Sequence, residues 1–324
     1  MVYKIAIIGA TGVVGRTVLQ IMFERNLLLN DIHIFAERRE KGKKIVVGKR
    51  KFVVESLDEK TSQQKFDFAL FCTREDVSKR YVKLFAQNGT QVVDFSSQYR
   101  KKFPLIVPEI NPDKIRGNII CNPNCSTIAA VMALYNIHKK YGIERIVYST
   151  YQAVSGAGKD ALEDLYKKRQ KNLKGLPQPI FNNLICYIGK ISKDGYSKEE
   201  RKMIYETRKI LGDKDIKITA TCVRVPIDVC HSESINFQTR KKVKIKDIEN
   251  VLSKTEGVEY KSATQVVPMP KDVRGQDKVF VGRVRKDFSA KNTFNIFVVS
   301  DNLRKGAAQN GVQILQELIK RKKK

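Results

Sequence analysis

An apolar run, Lys4-Ile-Ala-Ile-Ile8, passes without a break into Gly9-Ala10-Thr11-Gly12-Val13-Val14-Gly15. No other segment restricts the fold as much. Apolar residues in unbroken succession are the pattern of a strand buried on both faces of a parallel sheet. The residues that follow, Thr17 to Arg25, have the spacing of an amphipathic helix. Strand, glycine turn and helix in that order open a βαβ unit whose helix N-terminus can receive a pyrophosphate. The spacing G-x-x-G-x-x-G is less specific than G-x-G-x-x-G, and a tight turn with no ligand shares it. A second strand, Asp31 to Ala36, ends at Glu37-Arg38-Arg39. An acid there bonds a ribose 2′-OH and favours NAD, whereas arginine accommodates the 2′-phosphate of NADP. This chain carries both.

Further α/β units are predicted: strands over Phe66 to Cys72 and Gln91 to Phe95, with a helix from Asp76 to Asn88 between them. The fold class expected is α/β, a Rossmann-type dinucleotide-binding domain over 1–125 completed by a C-terminal helix, 302–324. A second domain over 126–301 follows. Its predicted strands are Arg145 to Ala153, Ile216 to Val225, Ser232 to Thr239, Val279 to Arg285 and Thr293 to Ser300. The helices expected there run from Lys159 to Leu173 and from Tyr196 to Leu211. Long strands separated by helices predict an α+β domain with a mixed, largely antiparallel sheet.

Cys125 lies at the junction of the two domains, in Cys121-Asn122-Pro123-Asn124-Cys125-Ser126-Thr127-Ile128. Proline fixes its own φ and pushes the residue before it toward extended backbone, so the helix cannot start early. The apolar pattern from Thr127 to Tyr141 places Cys125 at a helix mouth, where N–H groups and the macrodipole favour an anion. A thiol there ionises more easily and can act as a nucleophile. A small buried cysteine near a helix start fits the run equally well.

The six cysteines are scattered and form no C-x-x-C pair, and there are three histidines with no H-E-x-x-H, so no metal site is expected. The N-terminal apolar stretch is too short for a signal peptide, which makes the cytoplasm the expected compartment, and no membrane span is expected. A net charge of +28 attracts nucleic acid without specificity. The basic residues are spread through the chain, however, with no basic arm and no interleaved aromatic platform, so no specific nucleic-acid partner is expected.

Taken together, GATGVVG at 9–15, VPEIN at 107–111, NPNCSTI at 122–128 and STYQAVSGAG at 149–158 resemble the aspartate-semialdehyde dehydrogenase family. ETRKIL at 206–211, TCVRVPIDVCHSES at 221–234, FVGRVRKD at 280–287 and VVSDNLRKGAA at 298–308 continue the match in family order. The resemblance implies reversible, NADPH-dependent reductive dephosphorylation of L-aspartyl 4-phosphate to L-aspartate 4-semialdehyde. This step feeds lysine, threonine, methionine and diaminopimelate synthesis. The resemblance makes 126–301 the catalytic and dimerisation domain. It implies Cys125 as the nucleophile that forms an acyl-thioester, His231 as acid/base and Gln152 as the residue positioning the acyl group. Arg224 would clamp the substrate carboxylate, Glu199 would meet the substrate amine, and Arg100 and Lys202 would bind phosphate. Asn124 is expected beside the substrate, with N–H groups around Asn124 to Ser126 facing the tetrahedral oxyanion. Cofactor contacts are expected from Gly9, Thr11, Gly12, Val13, Val14, Gly15, Glu37, Arg38, Arg39, Ser155, Gly156 and Asn302.

A homodimer or homotetramer is the implied assembly, and a small-molecule substrate and phosphate are the implied partners. The segment between Leu173 and Tyr196 is shorter than in typical bacterial members, in a region that contributes to the dimer interface and a substrate lid. Glu37 stands where a small residue is usual in NADP-dependent members, so NAD remains open as the cofactor. Glu200 competes with Glu199 for the amine. Two other readings are an N-acetyl-γ-glutamyl-phosphate reductase-like enzyme, and a basic binding protein on a retired dehydrogenase fold.

Overall fold

The computed structural model describes residues 2–262 and 268–323. They divide into two compact units, one of 1–123 with 307–324 and one of 124–306.

The first unit begins with β1 (Lys4–Ile8), α1 (Val13–Glu24), β2 (Asp31–Ala36), β3 (Lys44–Val47) and β4 (Arg50–Ser56). It continues with α2 (Glu59–Gln63), β5 (Phe68–Phe71), α3 (Glu75–Gln87), β6 (Gln91–Asp94) and β7 (Ile119–Cys121). The sheet order is β3-β4-β2-β1-β5-β6-β7, parallel except for the β3–β4 hairpin at one edge. β1 is central, with β2 on one side and β5 on the other, so its C-terminal end is the point where the strand order reverses. All four residues of β5 are buried, as a strand covered on both faces requires. By contrast, β3 alternates Lys44 out, Ile45 in, Val46 out and Val47 in, the pattern of an edge strand with one wet face. On α1, Val18, Leu19, Ile21 and Met22 face the core. Each such side chain contributes about 1.5–3 kcal/mol on burial.

In the second unit the elements are α4 (Cys125–Tyr141), β8 (Ile143–Gln152), α5 (Lys159–Tyr166), α6 (Lys198–Leu211), β9 (Lys217–Arg224) and β10 (His231–Thr239). α7 (Ile245–Ser253), β11 (Val258–Tyr260), α8 (Pro270–Val273), β12 (Val279–Lys286) and β13 (Thr293–Ser300) complete it. Its sheet runs β11-β12-β13-β10-β8-β9, parallel at the two outer pairs and antiparallel within. α4 packs on β8, β10, β12 and β13, and α6 packs on α4 and β9. After a π turn, Arg304–Ala308, α9 (Gln309–Lys323) returns to the first unit and buries Val312, Ile314, Leu315 and Leu318 in its core.

The sequence pattern misplaces several helix ends, among them the start of α1, expected at Thr17 and found at Val13. α5 stops at Tyr166, and Lys168 then takes a left-handed φ of 49°. Beyond it, the buried Asp164 accepts the N–H groups of Lys174, Gly175 and Leu176 and so folds the following loop back onto α5. The last helix starts at Gln309 because Asp301 caps the N–H groups of Leu303 and Arg304, which turns the chain before a regular helix forms. α4 begins earlier than its apolar pattern, at Cys125, because Asn124 caps it.

Candidate active site

α4 sets the geometry. Asn124 precedes it with extended backbone, and its Oδ1 accepts from the N–H of Ser126 at 3.1 Å and of Thr127 at 3.2 Å. An asparagine cap of this kind stabilises a helix by about 1 kcal/mol. The same side chain donates Nδ2–H to Oε1 of Glu199 at 2.8 Å, and its backbone N–H donates to Oε2 of Glu206 at 2.7 Å. Asn124 is thereby fixed to α6 at two points. The N–H groups of Asn124 and Ser126, expected to face an oxyanion, are instead committed inside the protein.

Cys125 is the first residue of α4 and partly exposed, with Sγ 3.1 Å from Nε2 of His231 at the start of β10. His231 is 1% exposed, and its Nδ1 accepts the backbone N–H of Ala153 at 3.0 Å. An Nδ1 that accepts carries no proton, so the neutral ring has its proton on Nε2, directed at the sulfur. Burial, reinforced by the Arg224 charge, pushes the imidazolium down to about 3. His231 is a neutral N–H donor here, not half of a thiolate–imidazolium pair.

Around this pair lies a charged, buried wall. Gln152, at the end of β8, donates Nε2–H to Oε1 of Glu199 at 3.1 Å, while its Oε1 accepts from the Thr150 hydroxyl. Lys202 donates to Oε2 of Glu199 at 2.9 Å, one helical turn along α6. Burial alone would raise the Glu199 carboxyl, but Lys202, Gln152 and Asn124 outweigh it and hold the group ionised, far below the ordinary carboxylate range. Glu200 does something else: it closes the Ser197 capping box and accepts the N–H of Cys222. Arg224, 6% exposed, donates to the Ala153 carbonyl at 2.7 Å.

Two glycines shape the space beside these groups. A Cβ on Gly156 would lie 3.0 Å from an Arg224 guanidinium nitrogen and 3.5 Å from Nε2 of His231. One on Gly306 would lie 3.1 Å from Cβ of Cys125. Ser155 and Asn302 share hydrogen bonds, and Oδ1 of Asn302 also accepts the N–H of Cys230. The second unit thus gathers Asn124, Cys125, Gln152, Ser155, Gly156, Glu199, Lys202, Arg224, His231 and Asn302.

Arg100 and the dinucleotide candidates belong to the first unit. Arg100 is 8% exposed and donates to the Phe95 carbonyl at 2.7 Å. The glycine turn fits a pyrophosphate. Gly9 has φ of 81°, where a side chain would meet the Cys72 carbonyl oxygen at 2.4 Å. A Cβ on Gly15 would come within 2.3 Å of the Gly9 carbonyl oxygen. Gly12 precedes α1 and no side chain caps that helix. Thr11, Val13 and Val14 stand in this turn, and the Thr11 hydroxyl bonds Glu40 just beyond the end of β2. Arg38 is exposed there, and Arg39 pairs with Glu37 at 2.9 Å. Among the described residues no group of three or more His, Cys, Asp or Glu could hold a metal, and no helix is long and apolar enough to cross a membrane.

Sequence reasoning assigned no role to Glu206, Thr150 or Gly306. Glu206 opens the ETRKIL segment, but its link to Asn124 spans 82 residues and leaves no local signal.

A strand–glycine–helix cradle in one unit and a cysteine opening a helix beside a buried histidine in the other define a dinucleotide-dependent aldehyde dehydrogenase of the semialdehyde type. Two family models match the chain: the semialdehyde dehydrogenase NAD binding domain over residues 4–118 and the semialdehyde dehydrogenase dimerisation domain over residues 134–305. The aspartate-semialdehyde dehydrogenase of Aquifex aeolicus is 43% identical, with 99% of each chain covered. That of Rickettsia bellii is 40% identical over 98% of each. The crystal structure of aspartate semialdehyde dehydrogenase II from Vibrio cholerae, complexed with ASA, superposes with a TM-score of 0.94 at 37% identity, covering 99% of both chains. A Candida albicans aspartate semialdehyde dehydrogenase with NADP gives a TM-score of 0.77 at 25% identity, again over 99% of both. The chain belongs to the aspartate-semialdehyde dehydrogenase family. It is an enzyme that uses a nicotinamide dinucleotide.

Proposed function

We propose that the chain catalyses reversible, NADPH-dependent reductive dephosphorylation of L-aspartyl 4-phosphate to L-aspartate 4-semialdehyde, with Cys125 as the covalent nucleophile. The observation that carries this reading is the 3.1 Å approach of Nε2 of His231 to Cys125 Sγ at the N-terminus of α4.

The sulfur attacks the acyl carbon as a thiolate, stabilised by the Nε2–H donor and by the helix terminus. A carbon–sulfur bond forms, the carbon–oxygen bond to phosphate breaks, and phosphate leaves with the electron pair. When bound, the reduced nicotinamide supplies the hydride that converts the thioester to a thiohemiacetal oxyanion. The Nε2–H of His231 also lies in range to donate to that oxyanion, an effect typically worth about 3–4 kcal/mol for one donor. Collapse of the oxyanion breaks the carbon–sulfur bond, releases the aldehyde and regenerates the thiolate. No step demands a charged imidazolium, which agrees with the depressed basicity of His231. Gln152 holds the acyl group, and Arg224 offers a guanidinium to the substrate carboxylate. The ionised Glu199 attracts the substrate amine. By family likeness, Arg100 and Lys202 would bind the phosphate.

NADP is the proposed cofactor. Arg39 is drawn to Glu37 and lessens its repulsion of a 2′-phosphate, while Arg38 remains exposed beside it. The dimerisation-domain match supports an oligomer, and a homodimer working in the cytoplasm within lysine, threonine, methionine and diaminopimelate synthesis is the proposed setting.

Purified protein with L-aspartate 4-semialdehyde should reduce NADP only when phosphate is present, and reduce NAD more slowly. Intact-mass spectrometry after acyl phosphate is added without nicotinamide should show an adduct that Cys125→Ser lacks. Full turnover by Cys125→Ser would sink the mechanism.

A further inference from the structure

Glu233 has no part in the reaction described above, yet it is the most anomalous group near it. It is 0% exposed, and neither carboxyl oxygen has a hydrogen-bond partner. It lies on β10, an interior strand, opposite Thr150 of β8 and Val298 of β13. The two-residue period of a strand puts its side chain on the same face as His231, whose partner across β13 is Ser300.

α4 covers this face. Its partly exposed middle positions are Tyr135 and Asn136, so the opposite stripe, Ser126, Thr127, Ala130, Leu134 and Ile137, is turned to the sheet. All five residues are 0% exposed. Three hydroxyls in this layer share the anomaly of Glu233: those of Ser126, Thr127 and Ser300 are buried without a partner. Several unsatisfied polar groups in one dry layer would be costly, whereas a buried water typically makes about three hydrogen bonds to such groups.

We propose that Glu233, with the hydroxyls of Ser126, Thr127 and Ser300, forms an internal water-binding site behind Cys125 and His231. The bound water ties the first turn of α4 to β10 and so holds Sγ at its distance from Nε2. Glu233 is a positioning residue in this scheme, and the scheme rests on the reading of Cys125 as nucleophile. Burial pushes the carboxyl well above its ordinary range, so it serves as a neutral donor and acceptor. The titratable groups that sense it across the sheet, Tyr148 on β8 and Cys222 on β9, are themselves driven up by burial and stay neutral.

The test is a comparison of wild type, Glu233→Gln and Glu233→Leu, with a high-resolution crystal structure of the wild type. The Gln variant keeps neutral donor and acceptor atoms and should retain most of the rate. The Leu variant should lose kcat by about 10- to 100-fold, as misplaced reacting groups do, with KM within about twofold of wild type. Alkylation of Cys125 by iodoacetamide should slow in parallel; it is read by peptide mass spectrometry because Cys186 is also exposed. The crystal should show ordered water within hydrogen-bond distance of Glu233 and of Ser126 or Ser300. A folded Leu variant with normal kcat and normal alkylation overturns the proposal, and so does a Gln variant as impaired as Leu. If Leu fails to fold, the wild-type density decides, since a dry layer overturns the proposal by itself. Turnover that survives alkylation of Cys125 in wild type would instead refute the nucleophile assignment.

Discussion

The backbone N–H of Ala153 donates to Nδ1 of His231 at 3.0 Å, and this bond fixes which ring nitrogen carries the proton. A 180° ring flip would place carbon against the N–H, so the orientation is determined. What faces Cys125 is therefore a fixed N–H donor. His231→Ala should lower kcat by about 10²- to 10³-fold, the usual effect of removing one donor to a developing oxyanion. His231→Asn, which can present an amide N–H, should recover part of that loss. Steady-state kinetics with both variants checks this, and equal rates for Ala and Asn would contradict a donor role.

Glu199 and Glu200 are adjacent in sequence and opposite in use. Glu199→Gln removes the charge that balances Lys202 and that the proposed mechanism sets against the substrate amine, so KM for the semialdehyde should rise by about tenfold or more, one charge-assisted hydrogen bond being worth about 1.5–3 kcal/mol. Glu200→Gln should leave KM near normal but lower Tm, because both Glu200 oxygens accept backbone N–H groups and one would face an amide NH2 instead. Kinetics and thermal melts on the two variants separate the roles. Matching KM changes in both would contradict the division.

Acid should unfold the protein in two stages. Unfolded His231 takes up a proton near its ordinary value of about 6.5, while the folded residue stays neutral to about 3. Between those values the unfolded chain holds the extra proton. Stability from this residue is therefore complete above about pH 6.5 and falls by about 1.4 kcal/mol per pH unit below it. Glu199, held ionised when folded, adds its own loss below its ordinary value of 4.5. Urea melts of wild type and His231→Asn from pH 7.5 to 5 should show the shallower decline in the variant. Parallel declines would mean that His231 is not buried neutral.

At the end of β2, Arg38→Ala combined with Arg39→Ala should weaken kcat/KM for NADPH by about 10- to 100-fold, as loss of one or two charge-assisted bonds predicts, and barely touch NADH. Glu37→Ala should shift preference further toward NADPH. Both variants need only the ratio of the two cofactor rates. An unchanged ratio would place cofactor selection elsewhere.

The parts of this fold legible in the sequence are those whose cause is local. The apolar β1 run, the glycines behind it and the Pro123-Asn124-Cys125 helix start each carry their reason within a few residues. The β3–β4 hairpin went unpredicted although its alternation was present, because Lys43, Lys44, Lys49, Arg50 and Lys51 mask Ile45, Val47, Phe52 and Val54. The early stop of α5 depends on Asp164 gathering N–H groups about ten residues ahead, which no periodicity encodes. In the site, the helix-start run pointed to Cys125, whereas His231 was reached only through the family resemblance. The framework bonds from Asn124 to Glu199 and Glu206 exist only once α6 lies against α4, and the role of Ala153 resides in a backbone atom that any residue but proline would supply.

Gly306 contributes to the site by what it lacks. A methyl group there would lie 3.1 Å from Cβ of Cys125, so Cys125 would have to give way by a few tenths of an ångström. The room around the sulfur is thus set partly from the far end of the chain, where a hydrogen atom stands in for a side chain. A search for altered reactivity should begin at that position, since a methyl group there meets Cys125 before any other side chain.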